Sequence, residues 1–217
     1  HQQAKAFYDA FGRKQDRQSF YEDVAIEALI RNGAFDAAGS VLEFGCGTGR
    51  FAGRLLEDYL PTDATYVGVD ISETMVAIAE ERFAPFGKRA EVRRTNGSPK
   101  LDFKDATCDR FVSNYVLDLL TFDDINIVLK EAWRILSDGG LLGLTSLTHG
   151  FTPGARLVER IWMTAHAICP SLVGGCRPIR LRELVTGPGW HIRYVDRFSN
   201  YGVASEVLVA EKVGQSA

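Results

Sequence analysis

The sequence has no long hydrophobic run and almost no excess of charge of either sign. No stretch among its 217 residues approaches the roughly 18 apolar residues that a membrane-spanning helix needs, so we expect no integral membrane segment. The 25 basic and 28 acidic side chains give a net charge of −3, and the basic residues are dispersed. This balance counts against a nucleic acid as partner. The first residues, His1–Lys5, lack the pattern of a signal peptide.

Cysteine is also scarce. The four cysteines, at positions 46, 108, 169 and 176, have the spacing of neither a zinc site nor a small disulfide framework. We therefore expect a cytoplasmic protein without a metal site. A composition of 46% hydrophobic and 24% charged residues is typical of a chain with a buried core and excludes a disordered one. No repeat or Pro/Ser-rich linker divides the chain, which predicts a single domain over residues 1–217.

From Val41 onwards, short apolar runs alternate with amphipathic segments. The strand candidates of this part are Val41–Phe44, Thr65–Val69, Ala90–Arg94, Phe111–Asn114 and Leu141–Thr145. Strands that alternate with helices predict a parallel sheet covered on both faces. Two further strands, Ile192–Val195 and Glu206–Ala210, are separated by too few residues for a helical crossover and should pair antiparallel. The fold class is therefore α/β, with a Rossmann-like, seven-stranded, mostly parallel sheet and an antiparallel C-terminal strand.

Helix starts can be placed at two of the connections. Ser72 is positioned to cap a helix from Glu73 to about Phe83, because its hydroxyl can accept from a free backbone N–H group of the first turn. Asp123 or Asp124 can cap a second helix after the fourth strand. Both helices would cover the sheet.

The sharpest local signal is the glycine loop Glu43–Arg50, which follows a strand and opens a helix. Gly45, Gly47 and Gly49 permit positive φ and a close approach of the backbone to a ligand, and the helix N-terminus offers free N–H groups. Asp70 ends the next strand, where a carboxylate can accept hydrogen bonds from both hydroxyls of a ribose. The combination predicts a site for a nucleoside-containing cofactor.

Two cofactor classes fit this loop. A dinucleotide motif, Gly-x-Gly-x-x-Gly/Ala, is satisfied from Gly47 to Ala52, so an NAD-dependent oxidoreductase stays open. Glu43 favours the other class, because an acid just before the loop suits the ammonium of an amino-acid tail, directly or through water, and is poorly placed beside a pyrophosphate.

The segment Val41–Gly49 resembles motif I of the class I S-adenosylmethionine-dependent methyltransferases. The resemblance covers about residues 35–145 and continues through Gly68–Ser72, Asn96–Ser98, Phe103–Asp109 and Leu136–Leu141. Within that family, the chain looks nearest to the small-molecule enzymes similar to ubiquinone/menaquinone C-methyltransferases. The resemblance implies S-adenosylmethionine as the cofactor and a small molecule as the substrate.

The same resemblance assigns cofactor-binding roles to residues. Asp70 would bind the ribose, Ile71 would lie beside the adenine, and Asn96 would hydrogen-bond the adenine edge. The remaining cofactor-binding candidates are Glu43, Gly45, Cys46, Gly47, Gly49, Gly97, Asn114, Tyr8 and Tyr21. The two tyrosines belong to an N-terminal helical lid over residues 1–38, where such a side chain would touch the methionine end of the cofactor.

Methyl transfer is an in-line displacement at the sulfonium methyl, and a general base is needed only if the acceptor carries a proton. His149 follows the fifth strand and Asp118 follows the fourth, so both are catalytic candidates at the carboxyl ends of the strands. Each has a plainer alternative, as a loop or capping histidine and as an acid that caps a short helix. Residues 147–180 would form a substrate cap. Because no catalytic base is unambiguous, a cofactor-binding module without turnover stays a third hypothesis.

Overall fold

The computed structural model describes residues 19–169, 175–187 and 189–214. Within them, seven strands form one sheet: β1 (Ser40–Phe44), β2 (Thr65–Asp70), β3 (Ala90–Arg94), β4 (Cys108–Asn114), β5 (Leu136–Leu147), β6 (Trp190–Asn200) and β7 (Val203–Lys212). Their spatial order is β3-β2-β1-β4-β5-β7-β6. β7 runs antiparallel to both of its neighbours, and the other pairings are parallel. The predicted α/β fold class, with its antiparallel C-terminal strand, is confirmed.

The β6–β7 connection is a hairpin rather than a crossover, as its short length predicts. Tyr201 and Gly202 form its tip with φ of +50° and +80°. Two successive positive φ values match the right-handed twist of the paired strands, which is why such two-residue turns close hairpins. The tight turn lets both strands extend well beyond the predicted segments.

Six helices are described: α1 (Ser19–Asn32), α2 (Arg50–Asp58), α3 (Glu73–Phe83), α4 (Phe122–Ile135), α5 (Pro153–Ile168) and α6 (Leu181–Leu184). Helices α1 to α3 pack their apolar side chains into one core cluster, while α4 and α6 contribute to a second cluster. The sheet is thus covered on both faces. No helix among the described residues is long and apolar enough to cross a membrane.

One predicted helix cap is confirmed and the other is wrong. Ser72 caps α3, and its hydroxyl accepts from the Met75 N–H group at 3.2 Å. α4 is capped by Thr121, whose hydroxyl accepts from the N–H group of Asp124, so neither Asp123 nor Asp124 is the cap. The reason is that α4 begins two or three residues earlier than predicted and takes both aspartates into its first turn, where acidic side chains favour the helix dipole.

The chain adds strands first on one side of β1 and then on the other. From β1 the chain moves outward through β2 to β3, and it then returns to place β4 on the other side of β1. Such a reversal leaves a crevice at the carboxyl ends of the two central strands, which is where open α/β sheets bind ligands. The fold therefore places the glycine loop after β1 and the residues after β4 at one crevice.

Candidate functional site

The glycine loop joins β1 to α2 in a conformation that needs its glycines. Gly45, Gly47 and Gly49 have φ of +78°, +53° and +72°, in the left-handed region that side chains disfavour. A Cβ on Gly45 would also lie 2.3 Å from a methyl group of Val116. The loop is held to β2 because the N–H groups of Gly45 and its neighbour donate to the Val69 carbonyl. The backbone can therefore lie close to a ligand in the crevice.

Asp70 is fixed at the end of β2 by the backbone around it. Its Oδ2 atom accepts from the Gly47 N–H group at 2.9 Å, and its Oδ1 atom accepts from the Ser72 N–H group at 2.8 Å. These two bonds orient the carboxylate at the end of β2. The glycine loop and the predicted ribose-binding acid thus form one hydrogen-bonded unit.

A cleft opens over this unit, and its walls come from the ends of β1, β2, β3 and β4. We call it the main cleft. It encloses about 850 Å³, including the part that is open to solvent. It is lined by Phe44, Gly45, Gly47, Val69, Asp70, Ile71, Met75, Thr95, Gly97, Ser98, Pro99, Asn114, Tyr115, Val116, Leu119 and Leu120. Its size is that of a typical small-molecule site, and most of its walls are apolar.

The main cleft brings together six of the predicted cofactor-binding residues: Gly45, Gly47, Asp70, Ile71, Gly97 and Asn114. The sequence analysis missed the apolar wall made by Met75, Val116, Leu119 and Leu120. Their only signal is their position just after a strand end or in the first turn of a helix, which apolar core residues share.

Asn96 does not line the main cleft. Its side chain is exposed, and its Oδ1 atom accepts from the Ser98 N–H group at 2.9 Å. Gly97 between them has a φ of +85° and lies on the cleft wall. Asn96 therefore closes the turn that presents its neighbours to the cleft, and its predicted contact with the adenine edge stays a prediction.

A second cavity lies on the other side of the loop, between α1 and the start of α2. We call it the side cavity. It is lined by Glu22, Ile26, Glu43, Gly45, Cys46, Thr48, Arg50, Phe51, Arg54, Asn114 and Tyr115. It shares Gly45, Asn114 and Tyr115 with the main cleft, so these three residues stand between the two spaces. Unlike the main cleft, it holds four charged side chains.

Glu43 lines the side cavity but is almost completely buried, with 2% of its surface exposed. Its Oε2 atom accepts from the Tyr66 hydroxyl at 2.6 Å, and its Oε1 atom accepts from Asn114 Nδ2 at 3.1 Å. Burial raises the pKa of the Glu43 carboxyl to about 7. The carboxyl thus binds two protein donors and fixes the amide of Asn114, the residue that faces both spaces.

Glu22 is a site residue that the sequence analysis missed. Its Oε2 atom lies 3.5 Å from Arg50 Nη2, and Arg50 Nη1 lies 2.8 Å from Asp23 Oδ1. Burial raises the pKa of the Glu22 carboxyl to about 7, and the nearby Arg50 charge only partly offsets this. Nothing in the local sequence around Glu22 distinguishes it from other helical acids, because its partner is 28 residues away.

An aromatic contact joins α1 to the residues that line these cavities. The Tyr21 ring on α1 meets the Tyr115 ring edge-on, with centroids 6.0 Å apart. Tyr115 lines both spaces and has a φ of +54°, a strained value for a bulky residue. α1 is therefore packed directly on the site. Tyr8 lies outside the described residues.

Asp118 lies in a short 3₁₀ turn after β4 and is fully buried. Its Oδ2 atom accepts from the Leu147 N–H group at 3.1 Å, while its Oδ1 atom has no hydrogen-bond partner among the described residues. Burial raises the pKa of this carboxyl to about 7. Asp118 thus links the ends of β4 and β5. It lines neither the main cleft nor the side cavity, and a catalytic role for it stays a prediction.

His149 is directed away from the two cavities. Its Nδ1 atom lies 2.6 Å from Glu159 Oε1 on α5, and the other oxygen of Glu159 accepts from the Gly150 N–H group. The His149 side chain is 46% exposed and lines neither the main cleft nor the side cavity. This arrangement agrees with the plainer alternative of a loop histidine tied to a helix, and a catalytic role for it stays a prediction.

Two other predicted cofactor-binding residues, Cys46 and Gly49, make close packing contacts. The Cys46 side chain is buried against Gly68, where a Cβ would lie 2.8 Å from its sulfur atom, and burial raises the pKa of the thiol. A Cβ on Gly49 would lie 2.7 Å from the Phe83 ring. Both residues therefore keep the glycine loop close to β2 and α3. The described residues contain no cluster of His, Cys, Asp and Glu that could hold a metal ion.

Residues 41–140, which include the loop, Asp70 and the Asn114 wall, match the family model described as a methyltransferase domain. This segment of the chain is therefore similar to a methyltransferase domain. Among curated proteins, it is similar to the malonyl-[acyl-carrier protein] O-methyltransferase of a Marinomonas species, with 29% identity over 70% of this chain and 54% of that protein. It is also similar to an uncharacterized methyltransferase of Bacillus cereus, with 33% identity over 61% of this chain and 58% of that protein.

The chain thus spans little more than half the length of these relatives. Among solved structures, the methyltransferase fold is shared with an S-adenosylmethionine-dependent methyltransferase from Methanosarcina mazei. The TM-score is 0.66 and the identity 19%, with 85% of this chain and 97% of the other covered. The matched segment and the similar curated proteins favour the methyltransferase hypothesis over the NAD-dependent oxidoreductase.

Proposed function

We propose that this methyltransferase domain binds S-adenosylmethionine and transfers its methyl group to a small organic acceptor by in-line displacement. The observation that carries the proposal is the unit formed by Asp70 and the glycine loop, in which the loop backbone holds the carboxylate at the mouth of the main cleft. S-adenosylmethionine, when bound, supplies a methyl group activated by its sulfonium charge. The residues present fit that cofactor at both of its ends.

The nucleoside end fits the main cleft. The Asp70 carboxylate lines this cleft at the end of β2, where an acid can bind the hydroxyls of a ribose, and Ile71 and Met75 provide the apolar surface that an adenine ring needs. A Cβ on Gly45 would collide with the Val116 side chain, so this wall of the main cleft requires a glycine. These features support a ligand with a ribose that carries no 2′-phosphate.

The amino-acid end fits the boundary between the two spaces. The Oδ1 atom of Asn114 is buried and has no hydrogen-bond partner among the described residues. Buried acceptors are nearly always satisfied, so an unpaired one on the wall of two cavities favours a donor supplied by a ligand. The cofactor's ammonium group would be such a donor.

For the chemistry, the domain's own contribution is to position the acceptor and exclude water. Asp118 is the candidate for holding or removing an acceptor proton, because it directly precedes the main-cleft residues Leu119 and Leu120 and burial raises its pKa to about 7. The acceptor as a small molecule, and the relationship to ubiquinone/menaquinone C-methyltransferases, are part of the proposal.

The proposal is tested by calorimetric titration with S-adenosylhomocysteine and by a screen for transfer of a radiolabelled methyl group to small acceptors. We expect micromolar binding and at least one labelled product. NADH at millimolar concentration serves as the control and should give no fluorescence response. Folded protein that binds NADH but not S-adenosylhomocysteine would contradict the proposal. Binding without any product across a broad acceptor screen would favour the module without turnover.

A further inference from the structure

The side cavity presents charges of both signs where α1 covers the glycine loop. Glu22 on α1 and Arg50 at the start of α2 line it, with the two charged groups 3.5 Å apart. The Glu22 side chain is 13% exposed and that of Arg50 is 34% exposed. A buried carboxyl beside a more open guanidinium is complementary to a ligand group that carries both an ammonium and a carboxylate.

A separate observation concerns Asn114, which lines both this cavity and the main cleft. Its Nδ2 atom donates to the Glu43 carboxyl, which leaves Oδ1 as an acceptor. That oxygen is buried and has no partner within the described parts of the chain. Glu43 cannot itself turn to a ligand without giving up the bonds from Asn114 and Tyr66.

We propose that Glu22 and Asn114 bind the ammonium, and Arg50 the carboxylate, of the cofactor's amino-acid tail. Glu43 is then a positioning residue that orients the Asn114 amide, whereas the sequence predicted that it would contact the ammonium directly or through water. This inference rests on the proposed function, since it assumes that the main cleft holds the nucleoside. It also makes α1, which contributes nothing to the main cleft, part of the cofactor site.

The charge state of Glu22 is consistent with this role. The groups that influence it are Tyr21 and Asp23 on its own helix, Arg50 on α2, and Asp118 after β4. Burial raises its pKa to about 7 when no ligand is present. An ammonium group beside it would favour the ionised form, so binding of the tail should draw a proton from the carboxyl near neutral pH.

The test compares two ligands that differ only in the tail. S-adenosylhomocysteine carries it, whereas 5′-methylthioadenosine keeps the nucleoside and the thioether without it. Because charge-assisted hydrogen bonds are the strong ones, we expect Glu22→Gln to lower the affinity for S-adenosylhomocysteine by roughly tenfold or more. Its affinity for 5′-methylthioadenosine should stay within about twofold of the wild type, since that ligand does not reach Glu22.

Asp23→Asn is the matched control. Asp23 pairs with the same guanidinium, but its side chain is 48% exposed and does not line the side cavity. We expect less than about a twofold change for either ligand, because an exposed pair contributes little. Glu22→Asp, which keeps the charge, should recover part of the affinity lost in Glu22→Gln.

A second variant separates the two ends of the tail. Arg50→Gln should weaken S-adenosylhomocysteine by roughly tenfold. It should leave the decarboxylated analogue, which retains the ammonium, nearly unchanged. An equal loss for both ligands would overturn the assignment of Arg50 to the carboxylate.

Two results would overturn the inference alone. One is an unchanged affinity of Glu22→Gln for S-adenosylhomocysteine, and the other is an equal loss for both ligands, which would mean that Glu22 only supports the fold. If the wild type binds neither ligand, the proposed function fails first and the inference fails with it. Binding of 5′-methylthioadenosine by the variant also shows that it is folded.

Discussion

The main cleft and the side cavity share a wall but are built differently. The main cleft is made by backbone: three left-handed glycines, N–H groups that hold Asp70, and apolar residues at strand ends. The side cavity is made by long charged side chains that meet across two helices. A backbone cradle is specified by a few adjacent residues, whereas a charged cavity depends on how distant helices pack. The main cleft can therefore be predicted from the sequence, whereas the side cavity cannot.

The largest expected effect comes from breaking the backbone cradle. Gly45→Ala places a side chain at a φ of +78° and 2.3 Å from Val116. We expect the free energy of unfolding to fall by roughly 3 kcal/mol, from backbone strain and overpacking together, and binding of 5′-methylthioadenosine to be lost. Chemical denaturation and calorimetry measure the two quantities.

Gly87→Ala is the control for the strain alone. Gly87 has a φ of +57° but has no atom within 4 Å of an added Cβ. It should lower stability by about 2 kcal/mol, because alanine strongly disfavours a φ of +57° with a ψ of −132°, and leave ligand binding intact. If the two substitutions changed stability and ligand affinity equally, the contact with Val116 would be unimportant and the glycine loop would adapt to a side chain at position 45.

The next effect concerns the chemistry rather than either cavity wall. With any acceptor that the radiolabel screen returns, Asp118→Asn should lower kcat by roughly 100-fold if the acceptor carries a proton, because proton transfer contributes that much. The affinity for S-adenosylhomocysteine should change little. His149→Gln, at an exposed side chain outside both cavities, should leave kcat within about twofold. A larger effect of His149→Gln than of Asp118→Asn would reverse the two assignments.

A smaller predicted effect is that only ligands that reach the side cavity bind with a pH-dependent affinity. The Glu22 carboxyl, with a pKa of about 7, binds the tail only when ionised. The affinity for S-adenosylhomocysteine should therefore rise between pH 6 and pH 8, by up to about tenfold, since affinity changes at most in proportion to the ionised fraction. Glu22→Gln should flatten this rise, and 5′-methylthioadenosine should show none. If the affinity of Glu22→Gln still rose with pH, the titrating group would be Glu43 or Asp118 rather than Glu22.

Stability should show the opposite dependence on pH. Asp118 has a raised pKa in the folded protein, so the folded state binds its proton more tightly than the unfolded state does. By linkage, its contribution to stability is lost as the pH rises from about 4 to above 7. Asp118→Asn should therefore lose less stability over this window than the wild type. Parallel melting-temperature curves for the two proteins would contradict the buried, protonated Asp118.

The regions differ in how well the sequence predicted them. Gly45, Gly47 and Asp70 were found because their conformations and spacing are local properties. Asn96 and Gly97 show the limit of that approach, since a shift of one residue decides which of them faces the cleft. The antiparallel pairing of β6 with β7 followed from the short connection between them.

What the sequence did not predict depends on partners brought together by folding. Glu22 enters the site because α1 packs over the loop and brings it to Arg50. His149 lies outside both cavities because its ring contacts Glu159 on α5. Thr121 is the cap instead of the expected aspartates because the helix starts two or three residues earlier than predicted. Each of these outcomes is set by packing rather than by residue type.

The central claim is that Asp70, held by the glycine loop, binds the nucleoside of the cofactor. The most direct test is calorimetric titration of Asp70→Ala with S-adenosylhomocysteine and with 5′-methylthioadenosine. We predict that both affinities fall by roughly 100-fold, since two charge-assisted hydrogen bonds to the ribose are lost from a ligand part common to both. Unchanged binding of either ligand by the folded variant would contradict the account.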